Sequence, residues 1–203
     1  MAGCRSTVER AELMATQSYT PLNTTGIDGA LPADVVRVAV LPVHLPGYEA
    51  DLLERLDHSF QSELTKTMRF EVVPVSREAM ERHFRKREVN STEPLPHNLF
   101  PELARMSAAD AVLFTEVTHF DPYKPMGIGV RSKLVHLSEG TMLWACDSYF
   151  DADQPQVIAG AKRFQDQRIH KLIPIEDNES ILRSPTRFSE YVAYTLYQTL
   201  PPR

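Results

Sequence analysis

Three side chains near one predicted strand end have the types needed for acid–base chemistry. Glu116, His119 and Asp121 lie close together in the sequence, where a strand leaves the predicted sheet. Carboxylates and a histidine transfer protons when a cleft brings them together, as in a small hydrolase or a ligand-binding protein. The alternative is that these polar groups meet water at the end of the strand. The hydrolase hypothesis requires a concave pocket that holds all three side chains.

Metal and cofactor chemistry find little support in the sequence. The seven histidines are scattered, without an HExxH or HxH spacing and without a cysteine partner. The sequence contains no P-loop, dinucleotide-binding or serine-hydrolase motif. Cys146 lies within an apolar run, which predicts a small buried side chain. We therefore expect no metal site and no cofactor, and the sequence favours a protein that is not an enzyme.

Cys4 is the residue whose chemistry is most informative. It follows Ala2 and Gly3 and precedes a polar stretch, a pattern typical of the acylated cysteine at which mature bacterial lipoproteins begin. We expect the apolar signal segment that precedes such a cysteine to be missing or truncated here. Residues 5–33 are rich in Ser, Thr and turn formers, which predicts a flexible tether. The expected organisation is a lipoprotein N-terminus and tether over residues 1–33, followed by a single domain over residues 34–203.

Residues 82–87 form a dense basic run at the end of a predicted helix. Its cationic side chains are Arg82, Arg85, Lys86 and Arg87. Such a patch suits anionic lipid headgroups, nucleic acid or an acidic protein surface. Alternatively, the cations complement the helix dipole and have no partner.

Residues 120–126 combine two aromatic residues, a methionine and two prolines in a predicted loop. This composition favours a protein contact made with little ordering cost, or else a packed connection. We expect a partner to bind at Phe120, Tyr123, Lys124 and Met126, together with the exposed face of the following hairpin.

The elements that position these residues follow from hydrophobic spacing. A β-branched run over residues 35–43 predicts a strand buried on both faces, and Leu56, Phe60 and Leu64 lie on one face of a helix. A second strand over 70–75 leads to a helix capped by Ser76, and a third helix over 99–106 leads to a strand from 112. Strands near 128–137 and 141–151 form a hairpin, in which we expect alternate residues from Met142 to Phe150 to face the core. Helices near 155–167 and 188–199 complete the chain.

This order predicts an α/β (α+β) domain of three layers. Two β–α units and an antiparallel hairpin form a mixed sheet of about five strands, with helices on its faces. A hydrophobic fraction of 42%, 24% charged residues and a net charge of -5 are ordinary for a soluble protein. The mildly acidic charge argues against a dedicated nucleic-acid binder.

Three segments carry a resemblance to a bacterial envelope module: residues 38–43, 103–118 and 133–151. The chain resembles the periplasmic domain shared by the curli-secretion lipoprotein, the lipoproteins that activate peptidoglycan synthases and the N-terminal domain of the Tol translocation protein. That resemblance implies a domain that binds other proteins or assembles into rings, without catalysis. The strands of the hairpin are too short for the membrane-spanning hairpins of the curli channel.

Together these expectations describe a non-enzymatic lipoprotein anchored in the envelope through Cys4. Its localisation is then the outer membrane, facing the periplasm, and its partner is another cell-envelope protein, not nucleic acid. Two alternatives remain open. One is a subunit of a homo-oligomeric secretion or surface-assembly ring, and the other is the small hydrolase or ligand-binding protein.

Overall fold

The computed structural model describes residues 17–168 and 181–203. Its strands are β1 (Thr24–Gly26), β2 (Arg37–Val40), β3 (Glu71–Pro74), β4 (Ala111–Asp121), β5 (Gly127–His136) and β6 (Met142–Asp151). Its α-helices are α1 (Ala50–Thr65), α2 (Arg77–Phe84), α3 (Leu99–Ser107), α4 (Pro155–Arg168) and α5 (Pro185–Tyr197). A single turn of 3-10 helix, Ile181–Arg183, precedes α5.

The strands form one mixed sheet in the order β1-β6-β5-β4-β2-β3. β2 runs parallel to β3 and β4, whereas β4, β5, β6 and β1 are joined by antiparallel pairs. This confirms the predicted α/β class, with two β–α units followed by an antiparallel hairpin. The described sheet has six strands where about five were expected, because β1 comes from the segment predicted to be a tether.

Helices cover both faces of the sheet and complete the three predicted layers. Val38 and Val40 of β2 belong to the core beneath α1 and α5. Ala39 and Leu41 belong to the opposite core, beneath α2 and α3. Successive residues of β2 therefore enter opposite cores, as strand alternation requires. The prediction of a central strand buried on both faces is confirmed.

The helix signals in the sequence also correspond to the structure. Leu56, Phe60 and Leu64 of α1 are each at most 2% exposed, so the predicted apolar face is the buried one. The Ser76 hydroxyl accepts a hydrogen bond from the Ala79 N–H at 3.1 Å, as an N-cap residue does. Local spacing and capping thus determine where these helices lie.

The β5–β6 hairpin has the expected orientation over most of its length. Trp144, Cys146 and Phe150 are each at most 1% exposed, so they face the core as predicted. Met142 is instead 44% exposed, because the β5–β6 register shifts near this end of the hairpin. Leu143 is buried in its place. On the outer face of the hairpin, Tyr149 is 48% exposed.

Residues 17–33 pack against the domain. β1 pairs with residues 144–146 of β6. The Tyr19 hydroxyl lies 2.8 Å from the Ser148 hydroxyl, and its ring lies 4.9 Å from that of Phe150. Leu31 is buried, and its N–H donates to the Pro202 carbonyl at 2.8 Å. The expectation of a tether that reaches residue 33 is therefore corrected, since the packed chain includes residue 17. Residues 5–16 lie outside the described residues.

Both edges of the sheet are short strands. β1 has three residues and β3 has four. The N–H groups of Glu71 and Val75 donate to carbonyls on the β2 side. Pro74, the last residue of β3, is at a position whose N–H would point away from the sheet. Proline has no N–H, so this position offers no donor to another strand.

None of the helices in the described ranges is both long enough and apolar enough to cross a bilayer.

Candidate functional site

A groove of about 670 Å³ opens where the β4–β5 loop meets the first turns of α1 and α5. Tyr48 and Tyr123 are 42% and 79% exposed and line this groove, with Phe120 beneath them. Pro122 and Pro185 belong to the same surface. Tyrosine provides a large, rigid contact area at little cost in side-chain entropy, so this composition suits a protein contact.

The two tyrosines are held by different means. The Tyr48 hydroxyl donates to the Phe120 carbonyl at 3.2 Å, and the two rings meet edge to face at 5.6 Å between centroids. Tyr123 follows a turn in which its N–H donates to an Asp121 carboxylate oxygen at 3.0 Å. One wall of the groove is therefore fixed by contacts with the core, while the Tyr123 ring projects into solvent.

The structure divides the four residues predicted in this loop into two pairs. Phe120 and Met126 are 9% and 2% exposed and belong to the core. The predicted partner contact at Met126 is therefore corrected, whereas Phe120 also lines the groove and its contact stays a prediction. Both side chains face inward because they bracket the loop, at the positions where it leaves β4 and returns to β5. Tyr123 and Lys124 are exposed, as a partner contact requires. Sequence reasoning missed Tyr48, whose signal was its place directly after the Pro46-Gly47 turn.

The basic run lies on a separate surface. Arg82, Arg85, Lys86 and Arg87 are all exposed. Arg85 ends α2 in a left-handed conformation, and an Arg87 nitrogen lies 3.8 Å from a Glu78 carboxylate oxygen. Because α2 packs on the opposite face of the sheet from α1 and α5, the run and the tyrosine-lined groove do not form one surface. The structure leaves both interpretations of this run open, a partner contact or a complement to the helix dipole.

The three residues of the hydrolase hypothesis lie in different surroundings. Glu116 is 3% exposed, and it accepts a hydrogen bond from the Ser91 N–H at 2.6 Å. His119 is exposed, and its ring meets that of Tyr149 edge to face at 5.5 Å. The Asp121 carboxylate accepts a hydrogen bond from the Tyr123 N–H, within the turn that precedes Tyr123. None of five cavities in the described part of the chain is lined by Glu116, His119 or Asp121, so these cavities do not provide the pocket that the hydrolase alternative requires.

A buried ionic cluster supports the loop that carries Tyr48. Arg77 is 6% exposed, and its guanidinium donates to Asp57 at 2.9 Å, to the Val43 carbonyl at 2.7 Å and to Glu88. Asp57 also accepts from the Val43 N–H at 2.7 Å. Burial raises the pKa of Asp57, while the Val43 amide and the Arg77 guanidinium oppose that rise. All these groups are engaged with one another, so we assign the cluster to positioning of the β2–α1 loop.

Two further expectations concern residues that bind metals or lipid. Among the described residues, no three His, Cys, Asp or Glu side chains are grouped so as to hold a metal ion. The prediction of no cofactor stays a prediction. Cys4, the expected acylation site, lies outside the described residues. Cys146 is a buried free thiol whose pKa is raised by burial.

Comparisons with known proteins give only distant similarities. No protein-family model and no curated protein matches the chain. Among solved structures, the PelC dodecamer from Paraburkholderia phytofirmans is 13% identical, with 89% of this chain and 98% of that chain covered and a TM-score of 0.47. Lipoprotein GNA1162 from Neisseria meningitidis is 17% identical, with coverage of 57% and 80% and a TM-score of 0.41. TolB from Acinetobacter baumannii is 13% identical, with coverage of 72% and 31% and a TM-score of 0.30.

These structures include proteins named as a lipoprotein and as TolB, so the resemblance expected from the sequence appears as a distant likeness to such proteins. Every TM-score quoted is below 0.5. We therefore draw no functional conclusion from the similarity.

Proposed function

We propose that the chain is a non-enzymatic bacterial lipoprotein, acylated at Cys4 and held at the outer membrane facing the periplasm, whose domain binds another cell-envelope protein. The observation that carries this proposal is the tyrosine-lined groove between α1, α5 and the β4–β5 loop. Tyr48 and Tyr123 offer exposed aromatic area there, and the Arg77 cluster holds the adjoining loop in place. The partner is a protein that inserts an apolar or aromatic side chain between the two tyrosines.

The anchor and the groove act together by proximity. Twelve residues, 5–16, separate Cys4 from the first described residue. A polypeptide of that length spans at most about 45 Å, from roughly 3.3–3.6 Å per residue. The groove is then confined near the membrane, where a partner meets it at an effective concentration on the order of millimolar.

The anchor is tested first, by intact mass and membrane partitioning of the chain expressed in a bacterial host from its native reading frame. A diacyl or triacyl gain in mass and retention in the membrane fraction, both lost in Cys4→Ser, support the proposal. An unmodified chain that leaves the membrane fraction contradicts it.

The groove is tested by site-specific photo-crosslinking in living cells. A photoreactive phenylalanine analogue replaces Tyr123, and a control carries it in place of Met68, which is 88% exposed just after the C-terminal end of α1. We expect position 123 to give one adduct, identified by mass spectrometry as an envelope protein, that disappears in Tyr48→Ser and in Cys4→Ser. Equal adducts at the two positions contradict the assignment. An adduct of twice the mass of the chain favours the homo-oligomeric ring instead.

A further inference from the structure

The tyrosine-lined groove lies away from the edges of the sheet. Within the described chain its lining comes from the loop before α1, the N-terminal turns of α1 and α5, and the end of β4 with the loop that follows. The edge strands β1 and β3 contribute no residue to this described lining. A partner segment in the groove is therefore not held as an added strand, and side chains must provide its contacts.

The side chains of the groove match a segment rich in proline. The exposed rings of Tyr48 and Tyr123 lie beside Pro122 and Pro185, with Phe120 beneath them. Grooves lined by aromatic rings are the surfaces on which polyproline II segments dock. Such a segment is already extended before it binds, and its prolines have no N–H that needs a partner. It therefore binds an aromatic groove at little cost in conformational entropy.

The Tyr123 hydroxyl is available to the backbone of such a segment. The Tyr123 side chain is 79% exposed, and its hydroxyl forms no hydrogen bond within the described part of the chain. The Tyr48 hydroxyl already donates to the Phe120 carbonyl at 3.2 Å. A polyproline II segment has no internal hydrogen bonds, so its carbonyl groups are free to accept one. Tyr123 is thus the donor that the groove offers.

Glu49 is the charged side chain of the groove that remains for a partner. It is exposed, and although it is the N-cap residue of α1, its side chain forms no capping hydrogen bond. Arg55, the other charged residue of the described lining, is paired with Asp51 one turn earlier in α1. Lys124 follows Tyr123 but lines a different cavity. The groove therefore presents a carboxylate that an arginine or lysine of the partner complements.

Resting on the proposed function, we propose that the segment of the envelope partner that occupies this groove is a polyproline II stretch with a basic residue at its end. Its proline rings lie between Tyr48 and Tyr123, and one of its carbonyls accepts a hydrogen bond from the Tyr123 hydroxyl. Its arginine or lysine binds the Glu49 carboxylate. The rings provide most of the affinity, and the single carboxylate fixes the direction in which the segment lies.

The test is fluorescence anisotropy of labelled synthetic peptides with the full chain. The probe has about twelve residues, roughly 37 Å in polyproline II, and carries several prolines and a terminal arginine. A second peptide has glutamate in place of the arginine, and a third has alanine in place of every proline. We expect the proline–arginine peptide to bind saturably with a Kd below about 1 mM. The glutamate peptide should bind roughly fivefold more weakly, the effect of one exposed ion pair, and the alanine peptide about tenfold more weakly.

Three variants of the chain complete the design. Tyr123→Ala removes the exposed ring and should weaken binding about tenfold. Glu49→Lys should reverse the charge preference, so that the glutamate peptide binds more tightly than the arginine peptide. A reversal cannot result from loss of the fold, which keeps the test decisive if Tyr123→Ala does not fold. Met68→Ala changes a side chain that is 88% exposed outside the groove, and it should bind as the wild type does.

The proposal is overturned if neither proline peptide binds saturably, if the alanine peptide binds as tightly as the proline–arginine peptide, or if Glu49→Lys leaves the charge preference unchanged. The photo-crosslink at position 123 separates this outcome from the fate of the proposed function. An envelope protein captured there while the peptides fail to bind retains the groove as a partner site and removes the polyproline assignment. The absence of that adduct contradicts the proposed function, whether or not the peptides bind.

Discussion

Replacing Tyr191 with phenylalanine removes one oxygen atom from the contact between α4 and α5 and leaves the ring in place. The ring keeps its neighbours, since the centroids of Phe150, Phe164 and Phe188 lie 6.2, 6.0 and 6.1 Å away. The Tyr191 side chain is 1% exposed, and its hydroxyl has no hydrogen-bond partner among the described residues. A buried hydroxyl without a hydrogen bond costs about 1–3 kcal/mol of desolvation free energy. Taking the lower end of that range, Tyr191→Phe should raise the free energy of unfolding by about 1 kcal/mol. For a chain of this size that corresponds to a rise in Tm of roughly 2–4 °C.

The assay is urea unfolding of the full chain, followed by circular dichroism, with Tyr19→Phe as the matched control. The Tyr19 hydroxyl lies 2.8 Å from the Ser148 hydroxyl and donates to the Tyr149 carbonyl at 3.1 Å. Its removal should lower the free energy of unfolding by about 0.5–1.5 kcal/mol, the usual contribution of a hydrogen bond. The same chemical change therefore has opposite signs at the two positions.

A loss of more than about 0.5 kcal/mol in Tyr191→Phe would refute the reasoning, because it would mean that the hydroxyl has a hydrogen-bond partner in the folded protein. If Tyr19→Phe and Tyr191→Phe lower the free energy of unfolding by similar amounts, the Tyr191 hydroxyl likewise has a hydrogen-bond partner.

Two further predictions concern other contacts. In Gly160→Ala the new methyl group would lie 2.3 Å from the Tyr191 hydroxyl. The resulting overpacking should lower the free energy of unfolding by about 1–3 kcal/mol, which is more than the helix preference for alanine adds. This loss of unfolding free energy should be smaller when Gly160→Ala is combined with Tyr191→Phe, because the clashing oxygen is then absent. A double-mutant cycle measured by urea unfolding checks this, and a coupling energy of zero between the two substitutions contradicts it. Hydrogen bonding and charge from Arg105, and then from His83, lower the pKa of Glu102 to about 2. A carboxyl whose pKa is lower in the folded state stabilises above its unfolded value of about 4.5 and loses that contribution as the pH falls toward 2. The difference in urea midpoint between the wild type and Glu102→Gln should therefore narrow over that pH range, and a constant difference excludes the pKa shift.

The parts of the fold that depend on local spacing were predictable. The apolar positions of α1 recur every three or four residues, and Ser76 has the side chain that caps α2. In each case the information lies within one turn of helix or one strand. The class of the fold and the hairpin follow from such signals.

The N-terminal strand and the site were harder to predict for a physical reason. β1 is a short polar strand whose pairing is decided by the free edge of β6, not by its own sequence. The aromatic composition of residues 120–126 does not reveal that Phe120 and Met126 face inward, because that depends on where the loop leaves the sheet. The Arg77 cluster joins residues of three separate segments. Pairings between distant segments leave no local pattern in a single sequence.

The two edges of the sheet bear on how readily copies of the chain can pair with one another. An exposed edge strand is a template on which another chain can add a strand, and crowding favours that reaction. Here one edge is only three residues long, and the other ends in Pro74, which offers no N–H donor to an incoming strand. Each edge therefore offers few backbone groups to an incoming strand. Side-chain surfaces, whose strength and specificity single substitutions can adjust, are then the more favourable route for association between copies.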